Sequence, residues 1–298
     1  MDSALPQEIL DAIIDEVAMV SPQPVHDIEA GFRRIHHLAG CGFGAAPALK
    51  ACASVSHSFK HRSQRHLFAH IKLAFSSSHN HVKGLHAILT TNPALRSFIK
   101  FLELSTFSEW VEPEVVYPPL LPCIVDLLHG EPCGYDGLHT LKISCDTGYP
   151  HIIDLEFYKS LARILHDTRT SIQTLHLDVI REFPVFIIHC GHSLTELRLS
   201  RTSIPAGRTE HPERDKSLAY YIASELESPR QIPSLKILWS KESHLGDLFL
   251  GNESREISFD ALENFSFSFL SAVNKEADSA QIEGMLDASR NSLTTLLM

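Results

Sequence analysis

Several features that would assign a function directly are missing from this 298-residue chain. Its longest apolar run, residues 183–188, contains Pro184 and is far shorter than the roughly 20 residues that a membrane span needs. The six cysteines form no Cys-x-x-Cys pair, which argues against a zinc site and a disulfide framework. The patterns G-x-x-x-x-G-K-[ST] and H-E-x-x-H are also absent. We therefore expect no membrane span, no metal and no cofactor.

Basic residues are scarce as well. The chain has 26 Lys and Arg against 36 Asp and Glu, a net charge of −10, so nucleic acid is not an expected partner. The imbalance is uneven, because residues 1–20 carry five acids and no base, whereas residues 49–72 carry five bases and no acid. Such segments suit helices that pair with each other or meet an acidic partner. Without an apolar leader, we expect a cytoplasmic or nuclear protein with reduced thiols.

Three helices are predicted in the first quarter of the chain. Pro6 suits a first helical turn, and Glu8 complements the positive end of the helix that follows. Apolar residues then recur every four positions through Val17, which predicts an amphipathic helix. A second helix is predicted from Pro47 and a third from Ser56 to about residue 70. Residues 18–47, rich in proline and glycine, are interpreted as an inserted loop.

The Leu-Pro-x-Glu-Ile-Leu opening at residues 5–10, the step from Leu49 to Val55 and the Val-x-x-x-Phe ending at residues 55–59 together resemble an F-box. The closing Leu-Phe-x-x-Ile segment at residues 67–71 is similar to the F-box-like proteins of fungi. The resemblance covers residues 1–73 and differs from the common pattern in two ways: Phe59 replaces a frequent tryptophan, and the inserted loop is long. An F-box implies binding to a Skp-type adaptor and, through it, to a cullin. By this resemblance, the adaptor-facing residues are Leu5, Pro6, Glu8, Ile9, Leu49, Val55 and Phe59.

A Leu-x-x-Leu-x-Leu unit recurs through residues 82–298. Its seven copies are Ile99/Leu102/Leu104, Leu138/Leu141/Ile143, Ile172/Leu175/Leu177, Leu194/Leu197/Leu199, Leu235/Leu238/Ser240, Leu262/Phe265/Phe267 and Leu293/Leu296/Met298. Helix-like segments lie between them, at residues 82–89, 155–166, 217–226 and 281–287. Strand followed by helix is how a leucine-rich repeat stacks. The predicted fold is therefore α/β: a small helical F-box-like domain, then an irregular leucine-rich-repeat solenoid with a parallel sheet.

The predicted strands also indicate where a target protein would bind. If the leucines point inward, the alternate residues form the opposite face of the sheet, and His176, Arg198 and Trp239 are the candidate target-binding residues on it. Because Ser240 fills an apolar position of its unit, a second register stays open in which the strand slips by one residue and Trp239 enters the core.

The resulting hypothesis is a substrate-receptor subunit of a Skp-cullin-F-box ubiquitin ligase, without chemistry of its own and with an unknown target. One alternative is a repeat-based interaction scaffold outside any ligase. Another is a hydrolase that uses Ser193, which follows Gly191 but lacks the closing glycine of a nucleophile elbow. The i, i+4 pairs His57/His61 and His66/His70 have a metal-binding spacing, yet the bases between them disfavour a bound cation. At residues 293–298 we expect an open sheet edge, and with it a partner strand, a truncated chain or marginal order.

Overall fold

The computed structural model describes residues 6–19, 46–75, 80–106, 120–128, 137–145, 155–167, 172–180, 183–202, 212–226, 233–241, 243, 258–268 and 275–297. Its helices are α1 (Gln7–Met19), α2 (Ala46–Val55), α3 (His57–Ala69), α4 (Asn80–Thr91), α5 (Leu120–Leu128), α6 (Leu155–His166), α7 (Val185–His189), α8 (Pro212–Glu225) and α9 (Lys275–Ala288), with a 3-10 helix at Pro93–Phe98. In the described part of the chain, no helix has the length and apolar character to cross a membrane.

Eight strands form one sheet, in which every strand is parallel to its neighbours and follows chain order. They are β1 (His70–Phe75), β2 (Phe101–Thr106), β3 (Thr140–Cys145), β4 (Thr174–Asp178), β5 (Glu196–Ser200), β6 (Ile237–Lys241), β7 (Asn264–Ser268) and β8 (Thr295–Leu297). The last seven strands begin within the seven predicted units. The α/β class and the parallel sheet are therefore confirmed.

The register explains why the repeated units contain leucine at these positions. The second apolar positions form one row across the sheet, from Leu102 to Leu296, and the third positions form another, from Leu104 to Phe267. From β2 to β7 both rows are buried. We call this side of the sheet the apolar face, and the opposite side, formed by the alternate residues, the polar face.

The helices between the strands cover the apolar face. In α6 the buried Phe157, Leu161 and Leu165 recur every four residues, and they belong to the same core as the strand leucines. This helix has the predicted bounds, residues 155–166. The other predicted helices correspond to α4, α8 and α9. One row of apolar side chains from each element thus builds a continuous core.

One strand was not predicted. β1 begins at His70, inside the range assigned to the F-box-like segment, and its Ile71 and Leu73 pair with Leu102 and Leu104. Phe68, Ile71 and Leu73 therefore form an eighth copy of the repeated unit, and Phe68 and Ile71 also belong to the Leu-Phe-x-x-Ile segment that resembles the end of an F-box. The backbone of α3 runs straight into this strand, and the Lys100 amide donates to the carbonyl of Ala69 at 2.9 Å.

The N-terminal helices pack around a second, smaller cluster. Its buried members are Ile14, Ala18 and Leu49, and the partly buried Val17, Phe59 and Leu67 pack against them. We call this group the N-terminal cluster. The predicted loop at residues 18–47 is corrected at both ends, since α1 continues to Met19 and α2 begins at Ala46. The rest of that loop lies outside the described residues.

The far end of the sheet has an exposed strand. Among the described residues, β8 pairs with β7 alone, and Leu296 and Leu297 are 40% and 52% exposed. An open edge was predicted for residues 293–298, and β8 agrees with it. Met298 lies outside the described residues.

Ser240 is a polar residue at the third position of its unit, where the other units have an apolar residue. Its burial shows which register β6 adopts. Its side chain is 1% exposed and lies in the apolar row between Leu199 and Phe267. The alternative in which the strand slips by one residue is therefore wrong, and Trp239 belongs to the polar face. Within the described residues, the Ser240 hydroxyl has no hydrogen-bond partner, so this buried group destabilises the fold.

We predict that Ser240→Ala raises the free energy of unfolding by about 1 kcal/mol, because it removes an unpaired buried hydroxyl without changing the volume of the core. Ser243→Ala is the matched control. The buried Ser243 hydroxyl accepts a 3.0 Å hydrogen bond from the Thr202 amide, so its loss lowers stability by about 1 kcal/mol. Urea unfolding measures both variants. Equal destabilisation by the two substitutions would contradict the register of β6 in the structure.

Candidate functional site

The N-terminal helices present apolar side chains at their surface. Ile9 and Ile13 of α1 are 48% and 44% exposed, and Val55 at the end of α2 is 74% exposed. Pro6 and Glu8 are exposed beside them. Ile9 and Ile13 are four residues apart on α1 and so lie on one face of it, and exposed apolar side chains that cluster in this way are typical of an interaction surface. These five residues define what we call the N-terminal patch.

The remaining predicted adaptor-facing residues do not join this patch. Leu49 is fully buried in the N-terminal cluster, and Phe59 is partly buried against it. Their side chains hold the three helices together, and Leu49 offers no surface to a partner. Leu5 lies outside the described residues. The predicted set came from the resemblance to an F-box, which does not separate the buried side of these helices from the exposed side and does not include Ile13.

A charged clasp joins α1 to α3. The Arg62 guanidinium donates to Asp15 through Nε at 2.8 Å and through Nη2 at 2.6 Å, and His66 Nε2 lies 2.7 Å from the same carboxylate. Arg62 and then His66 hold the pKa of Asp15 at about 2, although burial acts in the opposite direction. The acidic and basic segments of the sequence thus meet within the chain. His66, considered above as a metal ligand, contacts a carboxylate.

The polar face brings the predicted target-binding residues together. His176, Arg198 and Trp239 occupy equivalent positions on β4, β5 and β6, so they form one row. The rings of His176 and Trp239 meet edge to face, with centroids 6.3 Å apart. Arg198 lies between their strands, and its Nε donates to Glu196 at 2.6 Å. The structure therefore shows a contiguous group in which Arg198 is buried and His176 and Trp239 are partly exposed. Its role in binding a target stays a prediction.

The same row continues toward β1 as a charged network that sequence reasoning missed. Lys72 and Lys142 lie 3.1 and 3.4 Å from Glu103, which is between them on β2. His70, Lys142 and Lys72 lower the pKa of Glu103 to about 2, against the effect of burial. Glu103 stays ionised at neutral pH and holds two ammonium groups on the polar face. Finding this network required β1, because Lys72 belongs to that strand.

At the ends of β4 and β5 the backbone turns through left-handed residues. Val179 and Arg201 have φ angles of 56° and 47°, a conformation that costs roughly 1–2 kcal/mol for a residue with a side chain. Their amides each donate at 2.8 Å, to Ser200 and Lys241 on the next strand, which holds both turns in place. The second turn places Arg201 Nη2 3.4 Å from Asp178. The carboxylate at this end of the polar face therefore has a basic partner.

Ser193 lies in the turn before β5. Across the described residues, its hydroxyl makes no hydrogen bond to a histidine or a carboxylate. Its neighbour His192 instead places Nε2 2.8 Å from Nδ1 of His166. No group of three or more His, Cys, Asp or Glu side chains in the described ranges could hold a metal ion. In the described part of the chain, Ser193 therefore has no neighbouring base that could activate it as a nucleophile.

We predict that Glu103→Gln lowers the free energy of unfolding at pH 7 by on the order of 2 kcal/mol, after allowance for solvent screening of the lysines. The folded pKa lies below the ordinary value of 4.5. This contribution is therefore complete above pH 4.5 and is lost as the pH falls toward 2. Urea unfolding at pH 7, 4.5 and 3 measures it, and the variant loses part of the acid dependence of the native chain.

Glu156→Gln is the control for this measurement. Glu156 also contacts a lysine, Lys159 at 2.7 Å, but its side chain is 58% exposed, so its substitution changes stability by less than about 0.5 kcal/mol. Equal losses in the two variants, or an unchanged pH profile for Glu103→Gln, would show that the network on the polar face contributes nothing specific.

The chain has no recognised relative in either of two comparisons. No protein-family model matches the sequence, and no curated protein matches it. What the N-terminal patch and the polar face do is therefore inferred from their own chemistry and from the motif carried by the first helices.

Proposed function

We propose that this chain is the substrate-receptor subunit of a Skp-cullin-F-box ubiquitin ligase. The N-terminal patch binds a Skp-type adaptor and, through it, a cullin, while the polar face binds a target protein. The observation that carries this proposal is the exposure of Ile9, Ile13 and Val55 on helices whose residues follow the F-box order. Exposed apolar side chains that cluster are more typical of a protein-interaction surface than isolated ones.

The second part of the proposal concerns the repeated units. Eight parallel strands in chain order, with helices between them and one shared apolar face, are what a stack of leucine-rich repeats requires. We therefore propose that residues from β1 onward form an irregular leucine-rich-repeat solenoid. The spacing of the units, between 22 and 41 residues, supports the irregular form.

In this role the chain forms no covalent bond itself. Its contribution is proximity: a bound target is held near a ubiquitin-conjugating enzyme that the cullin recruits, which raises the effective concentration of the reactants. The absence of a linker between α3 and β1 supports this role. Leu67 packs on the N-terminal cluster, whereas the next residue, Phe68, packs on the core of the sheet. A target would therefore be held in a defined position relative to the adaptor.

We predict that the double substitution Ile9→Asp and Val55→Asp abolishes co-purification with a Skp-type adaptor, because each change places an unpaired charge in an apolar interface. Both side chains are exposed and lie outside the N-terminal cluster, so the fold is retained. Phe59 is avoided, because it packs on that cluster. Ile88→Asp on α4 is the matched control, as Ile88 is 41% exposed on a helix away from the patch.

Two results would count against the proposal. If the folded double variant still binds the adaptor, the N-terminal patch is not an F-box surface. If the native chain itself shows no association with a Skp-type adaptor, the alternative of an interaction scaffold outside the ligase replaces the receptor role. Circular dichroism and the unfolding midpoint of each variant verify that the fold is unchanged.

A further inference from the structure

The polar face differs in charge from the rest of the molecule. Three acidic residues lie on it, namely Glu103, Glu196 and Asp178. Four basic residues lie on it, namely Lys72, Lys142, Arg198 and Lys241, and Arg201 lies beside it. Arg198 and Glu196 are buried and pair with each other, so the other bases carry the accessible positive charge. The whole chain has a net charge of −10. A local excess of positive charge on an acidic protein favours an acidic partner over a basic one.

Each carboxylate of this face is already matched by a base of the chain itself. Glu103 contacts Lys72 and Lys142, Glu196 contacts Arg198, and Asp178 contacts Arg201. Among the described residues of this face, a basic partner would therefore find no carboxylate that lacks a cation. Lys72 and Lys142 share one carboxylate, and their side chains are 37% and 23% exposed. Each ammonium has three N–H donors, so both can bind a further carboxylate while Glu103 holds them in place.

An aromatic anchor site lies farther along the same row. Trp239 is partly exposed and is braced by the edge of the His176 ring. A tryptophan supported in this way offers a rigid apolar surface, which is the commonest kind of interface anchor. The lysines and this tryptophan are therefore two separate contact sites on one surface, one for anions and one for an apolar side chain.

The register gives the distance between the two sites. Lys142 is on β3 and Trp239 is on β6, three strand spacings away. Strands lie about 4.8 Å apart, so this separation is about 14 Å, which an extended peptide covers in about four residues. A segment that crosses the strands would thus present its acidic residues and its apolar residue about four positions apart.

We propose that the polar face binds an extended acidic segment of another protein, whose carboxylates contact Lys72 and Lys142 and whose large apolar side chain, about four residues away, packs on Trp239. This inference rests on the proposed target-binding role of the polar face and gives that target its chemistry. Binding depends on both ends of the row, and phosphate groups are not required.

Selection of random decapeptides displayed on phage, with the purified full-length chain as bait, tests this proposal. We expect the enriched peptides to combine acidic residues with leucine, phenylalanine or tryptophan about four positions away. A synthetic peptide with the enriched sequence should bind at least about tenfold more weakly to the Trp239→Ala and Lys142→Ala variants. Lys159→Ala is the control. The Lys159 side chain is 24% exposed, similar to the 23% of Lys142, but it lies on α6, which packs on the opposite face of the sheet.

The contradicting results are equally specific. The proposal fails if no peptide is enriched, if the enriched peptides lack acidic residues, or if Trp239→Ala and Lys142→Ala bind as tightly as Lys159→Ala. Replacement of the peptide's acidic residues by lysine should also abolish binding. The double variant Ile9→Asp and Val55→Asp is expected to bind the peptide normally, so a failure of adaptor binding would be recognised separately from a failure of this proposal.

Discussion

The parallel pairing of successive strands is the constraint on which the rest of this structure depends. No single unit can bury its own leucines, so each strand needs at least one neighbouring strand in the same register. This requirement aligns one apolar row from Leu102 to Leu296. A second apolar row runs from Leu104 to Phe267 and is defective at Ser240. There the row of Leu238 keeps β6 in register, and a hydroxyl without a partner among the described residues is buried.

The same constraint creates the polar face. Because side chains alternate along a strand, a register fixed by leucine on one side also aligns every residue on the other. Residues far apart in the sequence, such as Lys72, His176 and Trp239, thereby share one row. The continuous connection from α3 into β1 links this row to the N-terminal patch. A receptor needs two binding surfaces in a defined relation, and this arrangement is suited to that role.

The repeated spacing of apolar residues made the strands predictable. Contacts between one element and another could not be predicted from it. The triplets predicted seven strands and the polar side of each, since period two is a local property of the chain. β1 was missed because Phe68 and Ile71 also belong to the Leu-Phe-x-x-Ile segment that resembles the end of an F-box. The burial of Leu49, the Asp15 clasp and the Glu103 network could not be predicted, because each depends on which helix or strand becomes a neighbour.

The central claim is that the chain binds an adaptor at one end and leaves the polar face for a target. Cross-linking mass spectrometry of the full-length chain with a Skp-type adaptor tests it most directly. Lys50 and Lys60 are exposed on α2 and α3, and we predict that their cross-links to the adaptor predominate, while Lys72 and Lys142 give none. Cross-links concentrated on Lys72 and Lys142, or no complex at all, would contradict the account.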